Sequence, residues 1–593
     1  MDGDKQPTAM DVDTTVAAKK EPKDYSLLTA YPELLDLLNS LSLEATGNRV
    51  FTENMAGAFH TTGDKCLDFF ASVVRSTSVS TIIDDFVEAW NEDPDKALRL
   101  LMNLRDVRGG KGEKKLPLVL LYVLSCWKPL TYLANLKYFL DLGCYKDLLI
   151  IAEFAVRLAE VRYFSRIPAL QNSEIELKVM ACQLRKDDED LKKNAKAGIS
   201  LCAKWAPSDN TRFNKKPLHF SRHISKTLGV TKKDYRLQLT KLRGHLRVLE
   251  KMMCNNQWDQ IVFSSLPAKA HRIYRKSFQR DCNAQKKESD ERKQLAARYA
   301  EYLEGLQSGK ETIKSTGTQP HELVKPFMDS HGEKDLTLEG QWKDLIAKLA
   351  EAGNFRHCQA VVDVSGSMSG TPMQVAIALG LVVTELTEEP FKNKLITFHE
   401  KPTFHAVKGD TLGERVRDVM RMEWGGNTDL FAVFEILVKE AVKNPGAQMV
   451  EKLFIFSDMQ FDQARGSGTW TTVYEAIEKL YKQHGFAVPK IIFWNLRDTH
   501  KSFPVEKMQV GTALVSGFSA QLMKAFLEAK EDKFDPKAIM EDVLSKYDGA
   551  RVAEEERTPF PNNKPWTESL PEVEKIVEEL VPKGKKSGRR RRR

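Results

Sequence analysis

The chain lacks most of what marks a secreted or membrane protein. No apolar run reaches the ~20 residues of a spanning helix. The longest, "LPLVLLYVLSCW" at 116–127, is interrupted by Pro117 and reads as a buried helix. Cysteine is sparse, eight in 593 residues, and placed singly at Cys66, Cys126, Cys144, Cys182, Cys202, Cys254, Cys282 and Cys358. The absence of any C-x-x-C pair argues against a disulfide framework and a thiolate zinc site, and a reducing compartment fits best. The opening "MDGDKQPTAMDVDTTVAAKKEPK" has no apolar core for a secretory leader, so residues 1–24 are expected to be a disordered tail. These absences predict a protein without membrane association, placed in the cytoplasm. The arginine-rich end of the 551–593 tail, "KGKKSGRRRRR", offers a nuclear address as well.

What is present is a globular composition with uneven charge. Hydrophobic residues make up 42% and charged residues 29%, enough for cores, and the length calls for two or three domains. The net charge is +8, yet 211–280 alone holds 17 Lys and Arg against 3 Asp and Glu, a local +14, so the remainder is net acidic at −6.

Two grammars divide the chain. Over 25–345 the apolar spacing is helical, as in "YPELLDLLNSL", "TIIDDFVEAWNEDPDKALRLLMNL" and "YRLQLTKLRGHLRVLEKMM". No β-hairpin is expected there, and stacked helix pairs of HEAT-like type are. Residues 308–338 read as linker. Over 346–550 strand and helix alternate, with "HCQAVVDV", "KLITF", "EKLFIFSD" and "KIIFWNL" as strands and "PMQVAIALGLVVTEL", "LFAVFEILVKEAV" and "VYEAIEKLYKQHG" as helices. That alternation predicts a doubly wound α/β domain whose ligands bind at the carboxyl ends of the strands.

The stretch "VVDVSGSMSG" at 361–370 stands at such an end. Mg2+ takes hard oxygen ligands in near-octahedral geometry and keeps some waters. Asp363, Ser365 and Ser367 alternate along one turn and can converge on one point. Thr428 in "WGGNTDL" and Asp458 in "FIFSDMQFD" bring two more oxygens to the same sheet edge, and the five form a candidate Mg2+ or Mn2+ site. The plainer alternative has the serines capping a helix and Asp458 ending a strand. Asp429 is either a neighbour that orients the site or an ordinary first residue of a helix.

Enzymatic readings of these motifs are weaker. A haloacid-dehalogenase-type phosphotransferase needs D-x-D, and Ser365 occupies the second place, which removes the general acid. A nucleophile elbow needs G-x-S-x-G, and Met368 stands where its serine belongs. In "RDVRGGKGEKK" Glu113 follows Gly112, so the phosphate-loop pattern fails and a basic interhelical turn remains. His399 and His405 flank the next strand pair and could be offered as the base of a metal-dependent phosphohydrolase, but lone histidines there are more often structural.

In the basic segment the rings Phe213, Phe220, Tyr235, Trp258, Phe263, Tyr274 and Phe278 are interleaved with cations. Arg236, Lys241, Arg243, Arg247, Arg272 and Arg275 are the candidate phosphate contacts. The competing reading packs Leu237, Leu242, Leu246 and Leu249 inward beneath a solvated charged face.

The set Asp363, Ser365, Ser367, Thr428 and Asp458 resembles the metal-ion-dependent adhesion site (MIDAS) of von Willebrand factor type A domains. That resemblance implies Ser365, Ser367 and Thr428 as direct or near-direct ligands and Asp363 and Asp458 as direct or water-mediated ones. It also implies a coordination position open to an acidic protein ligand. "LRDVRGGKGE", "LCAKWAPS", "LITFHEKPTFH", "WGGNTDL" and "IIFWNLR", taken with the metal motifs, resemble domain-of-unknown-function family 2828. Its architecture is similar to that of the Ro autoantigen, a TROVE-like helical ring or arc carrying a type A domain. The resemblance implies binding of small or misfolded RNA on the helical part and no catalysis. The expected protein is a non-enzymatic scaffold. A protein assembly factor without nucleic acid is the alternative, and a phosphohydrolase ranks below both.

Overall fold

The computed structural model describes residues 39–43, 47–158, 174–282, 288–329 and 334–579, apart from 352, 354, 398–401, 423–428, 444–445, 447–448, 463–471, 499–500, 529–532, 562–563 and 565–569. The expected tail at 1–24, most of "YPELLDLLNSL" and the arginine-rich end fall outside these residues.

Helices dominate up to Ala350. The run beginning "TIIDDFVEAW" forms two of them, Val79–Glu92 and Pro94–Arg105. Asp93 causes the break: its side chain accepts the Lys96 amide, and Pro94 behind it suits a first helical position, where no amide proton is needed. The run beginning "YRLQLTKL" also splits, into Lys232–His245 and Leu249–Cys254, with Arg247 between them at φ 47°. Its buried stripe is Tyr235, Leu239 and Leu242. Spacing of four and three turns Leu237 to the opposite face, where it is 58% exposed rather than packed inward.

A hairpin occurs where none is expected. β1 (Arg49–Phe51) pairs antiparallel with β2 (Gly57–Phe59), and three-residue strands are too short to show alternation. The hairpin docks on the far half of the chain, with Met55 bridging to Asp462, Gly57 to Thr472 and Phe59 to Phe503.

The second half builds a six-stranded sheet from β3 (Cys358–Val362), β4 (Lys394–Thr397), β5 (Phe404–Ala406), β6 (Lys452–Ser457), β7 (Lys490–Asn495) and β8 (Thr512–Ser516). Its order is β5-β4-β3-β6-β7-β8, parallel except for β5 on one edge. Successive strand residues serve two different cores. Cys358, Ala360, Val362, Phe454, Phe456, Ile492 and Trp494 join one that continues into the helical half. Val361, Ile396, Leu453, Ile455, Ile491 and Phe493 join a second, under the helices Leu430–Lys443 and Val473–His484.

The two halves are therefore not beads on a linker. The expected linker 308–338 contains the helix Pro320–Asp329, whose Leu323 and Val324 are buried. From the expected tail at 551–593, Val552, Phe560, Val573, Ile576 and Val577 pack into the shared core. All eight cysteines are free thiols. No helix among the described residues is long and apolar enough to cross a membrane.

Candidate functional site

Asp363 follows β3 and Asp458 follows β6, neighbouring strands in parallel register with Val362 opposite Phe456. Chain order reverses between these two strands. β3 is followed by β4 and β5 on one side, while β6, β7 and β8 lie on the other. Such a switch point leaves a crevice between the diverging loops. Both carboxylates are 0% exposed.

Local chemistry fixes each group. The Asp363 amide donates to the Phe456 carbonyl at 3.0 Å. Its Oδ1 accepts the Ser365 amide at 2.9 Å and its Oδ2 the Ser457 hydroxyl at 2.6 Å. Ser365 and Ser367 place their hydroxyls 3.0 Å apart on the turn Gly366–Met368. Ser365 is buried and Ser367 exposed, so the two hydroxyls run from the interior to the surface. Gly370 takes φ 94°, a conformation that needs glycine, and from there the chain enters the helix Thr371–Leu386.

Asp458 Oδ1 accepts the Gln460 amide at 3.2 Å, across Met459 at φ 66°. Arg497 reaches to 3.6 Å from Asp458 Oδ2. The β1–β2 hairpin clamps this loop. Gln460 Oε1 accepts the Glu53 amide at 2.7 Å, and Asn54 donates to the Gln460 carbonyl at 2.8 Å. Ser457 and Gln460 lie in "FIFSDMQFD" and Arg497 in "IIFWNLR", but the role of each toward the two carboxylates is visible only in the three-dimensional arrangement.

Burial, and after it the negative charge of Asp458, push the Asp363 carboxyl up to about 6, against hydrogen bonds from Ser457 and Ser365 that favour its ionised form. The donor set is all oxygen, two carboxylates and two hydroxyls, which suits Mg2+ or Mn2+ and not a soft metal. Among the described residues no cluster of three or more His, Cys, Asp or Glu gathers as a metal site, so hydroxyls and water would have to complete any shell here. Thr428 lies outside the described residues. Asp429 Oδ1 accepts the Ala432 amide at 2.9 Å, as a residue at a helix start does. His405 pairs with Asp418 at 2.7 Å on the edge strand β5, away from Asp363. His399 is outside the described residues.

The six basic candidates do not form one surface. Arg243 donates to the carbonyls of Ala203 at 2.8 Å and Ala206 at 2.7 Å and to Ser208 Oγ at 2.8 Å, which makes it an internal clamp. Arg272 pairs with Glu322 at 2.8 Å and Arg275 with Asp335 at 2.5 Å. Lys241 pairs with Asp188 at 2.8 Å but stays half exposed; Arg236 stands 3.7 Å from Asp209, and Arg247 is exposed. The carboxylate partners lie far along the chain, which is why the charge pattern in 211–280 overstates the free cations. The turn "RDVRGGKGEKK" is likewise an internal device. Lys111 Nζ donates to the carbonyls of Phe70 at 2.6 Å and Val73 at 3.0 Å and to Ser516 Oγ at 2.6 Å, tying the helix Lys65–Ser72 to β8.

Fold and site define a class of protein in which a helical half shares a core with a mainly parallel α/β half, and two buried carboxylates meet at the switch point of its sheet. The chain belongs to the family described as Domain of unknown function (DUF2828), which matches residues 52–176 and 177–355. Residues 357–564 match Domain of unknown function (DUF7788). Uncharacterized protein L728 of Acanthamoeba polyphaga mimivirus is 41% identical over 511 residues, 84% of this chain and 88% of that protein. The crystal structure of Deinococcus radiodurans RO (RSR) protein aligns with 82% of this chain and 100% of that chain at 13% identity. Its TM-score is 0.28, too low to equate the two folds.

Proposed function

We propose that this protein is a non-enzymatic binding scaffold. Its α/β half is read as a von Willebrand factor type A-like domain whose Asp363, Ser365, Ser367 and Asp458, with Thr428, hold Mg2+ or Mn2+. When bound, the dication supplies an electrophilic coordination position that a carboxylate of an acidic protein ligand can fill. The residues do the positioning: Ser457 and the Ser365 amide orient Asp363, Gln460 orients Asp458, and the hairpin residues Glu53 and Asn54 keep that loop in place. The single observation that carries the reading is the meeting of two buried carboxylates and two hydroxyls between β3 and β6. The antiparallel edge strand β5 agrees with it. The helical half is read as a surface for RNA, small or misfolded, and the setting as cytoplasmic with nuclear access through the arginine-rich end. The internal engagement of Arg243, Arg272 and Arg275 favours a second reading, protein assembly without nucleic acid.

The test is a pull-down from lysate on the immobilised full chain, with and without chelator. Acidic proteins retained in Mg2+, released by chelator and not retained by Asp363→Ala support the adhesion reading. Retention indifferent to both treatments removes it.

A further inference from the structure

The helical half carries an open groove of about 970 Å³, walled by the helices Lys146–Leu158, Cys202–Trp205, Lys232–His245, Leu249–Cys254 and Ala268–Phe278 and the turn Arg212–Asn214. Its lining is strongly one-signed. Lys146, Lys204, Arg212, Arg243, Lys251 and Lys269 face a single acid, Glu250. Arg243 is spent on carbonyls, and Arg212 is held by Glu153 at 2.6 Å. Among the described residues none of the four lysines stands in an ion pair, although Lys251 Nζ donates to the Thr240 carbonyl at 2.8 Å, so the groove keeps an excess of positive charge.

Three rings share these walls: Trp205, Phe213 and Tyr274. Trp205 is half-buried with Lys146 Nζ 5.9 Å and Lys204 Nζ 5.7 Å from its ring centroid. Both ammonium groups lie over the ring of this partly open indole, and a base that stacks there takes the place of a lysine whose charge is then turned to the adjoining phosphate. Trp205 and Lys204 belong to "LCAKWAPS", a stretch the metal site does not use. Ile273, 59% exposed on the rim, adds an apolar contact.

We propose that this groove binds single-stranded nucleic acid, with a base stacked on Trp205 and phosphates held by Lys204, Lys251 and Lys269. This deepens the RNA part of the function proposed above and rests on it. A duplex hides its base faces and cannot use the rings, whereas a single strand offers bases and phosphates together. Neither Arg236 nor Lys241 lines the groove, so the strand is assigned to lysines other than the candidates picked from the charge pattern.

The experiment measures fluorescence anisotropy of the full-length protein with a labelled mixed-sequence oligoribonucleotide, the DNA oligomer of the same sequence, and the corresponding duplex. The expected result is tighter binding of the single strands than of the duplex, with the RNA and DNA arms showing which sugar is preferred. The triple variant Lys204→Ala/Lys251→Ala/Lys269→Ala should lose at least about tenfold in affinity, and its dependence on log salt should flatten by about 2. Trp205→Leu, which keeps an apolar side chain but no π-face, should lose about tenfold with an unchanged salt slope. Thermal melts of both variants separate lost binding from lost fold. Single-strand binding that neither folded variant weakens overturns the groove assignment and leaves RNA binding elsewhere intact. No binding of any oligonucleotide at low salt overturns both. Displacement of the RNA by oligoglutamate at equal concentration overturns the assignment in favour of an acidic peptide.

Discussion

Asp363 and Asp458 end adjacent parallel strands, both out of contact with solvent, and the charge of Asp458 helps drive the Asp363 carboxyl up to about 6. Burying like charges together costs stability, and Arg497, 3.6 Å from Asp458 Oδ2, offsets only part of that cost, since the Asp363 carboxyl stays raised.

The cost has a pH signature. Unfolded Asp363 titrates near 3.8 and folded Asp363 near 6. Below the lower value both states are neutral and there is no penalty. As pH rises through about 6 the folded chain must carry a buried charge, and about 3 kcal/mol is lost. In chelator, Asp363→Asn should therefore gain stability over the wild type between about pH 4 and pH 7, measured by urea denaturation across that range. Added Mg2+ should close the gap by stabilising the wild type alone. A constant difference across the range would mean that Asp363 does not titrate as described.

Arg272 and Arg243 should prove structural. Burial would raise the Glu322 carboxyl, but the opposing charges of Arg272 and Lys114 and the hydrogen bond from Arg272 hold it down at about 2. This contribution is present above the ordinary carboxylate value and lost as pH falls toward 2. Arg272→Ala leaves that carboxylate with only Lys114, at 3.9 Å, as a nearby cation and should cost about 2 kcal/mol in denaturant unfolding at neutral pH. Arg243→Ala, which leaves two carbonyls and a serine without their donor, should cost about 2 kcal/mol. Arg236→Ala, at an exposed pair, should stay within about 1 kcal/mol. Equal effects of all three would contradict the division into clamps and surface charges.

The shared core predicts one unfolding unit. The helix Lys65–Ser72 packs on β7 and β8, and the helices Pro320–Asp329 and Thr371–Leu386 pack on each other. Calorimetry of the full chain should show a single transition, and a fragment of 346–550 should aggregate or melt far lower, because Ala513, Val515, Phe456 and Trp494 lose part of their cover. Two separate transitions, or a stable fragment, would show that the halves are independent.

The sequence made the alternating half readable because buried parallel strands are short, contiguous apolar runs such as "KLFIFS" and "KIIFWN", separated by helices with clear stripes. For the same reason Asp363 and Asp458 could be placed at strand ends. Three-residue β1, β2 and β5 carry too little pattern to be seen. Leu237 was misplaced because the face a helix buries is set by its neighbours, and the segment after 551 because its apolar residues are spaced among charges. The internal engagement of Arg272 among the basic candidates has a longer-range cause: Glu322 stands fifty residues away, and local charge counting cannot see a partner at that separation. The groove around Trp205 draws on segments from Lys146 to Tyr274, and no window of sequence contains it.

The central claim is that these carboxylates and hydroxyls form one dication site. Titration calorimetry of the full chain with Mn2+ tests it directly, alongside Asp363→Ala and Asp458→Ala shown to be folded by their melts. One site in the wild type, abolished in both variants, is the predicted result. Equal heats in all three proteins would contradict it.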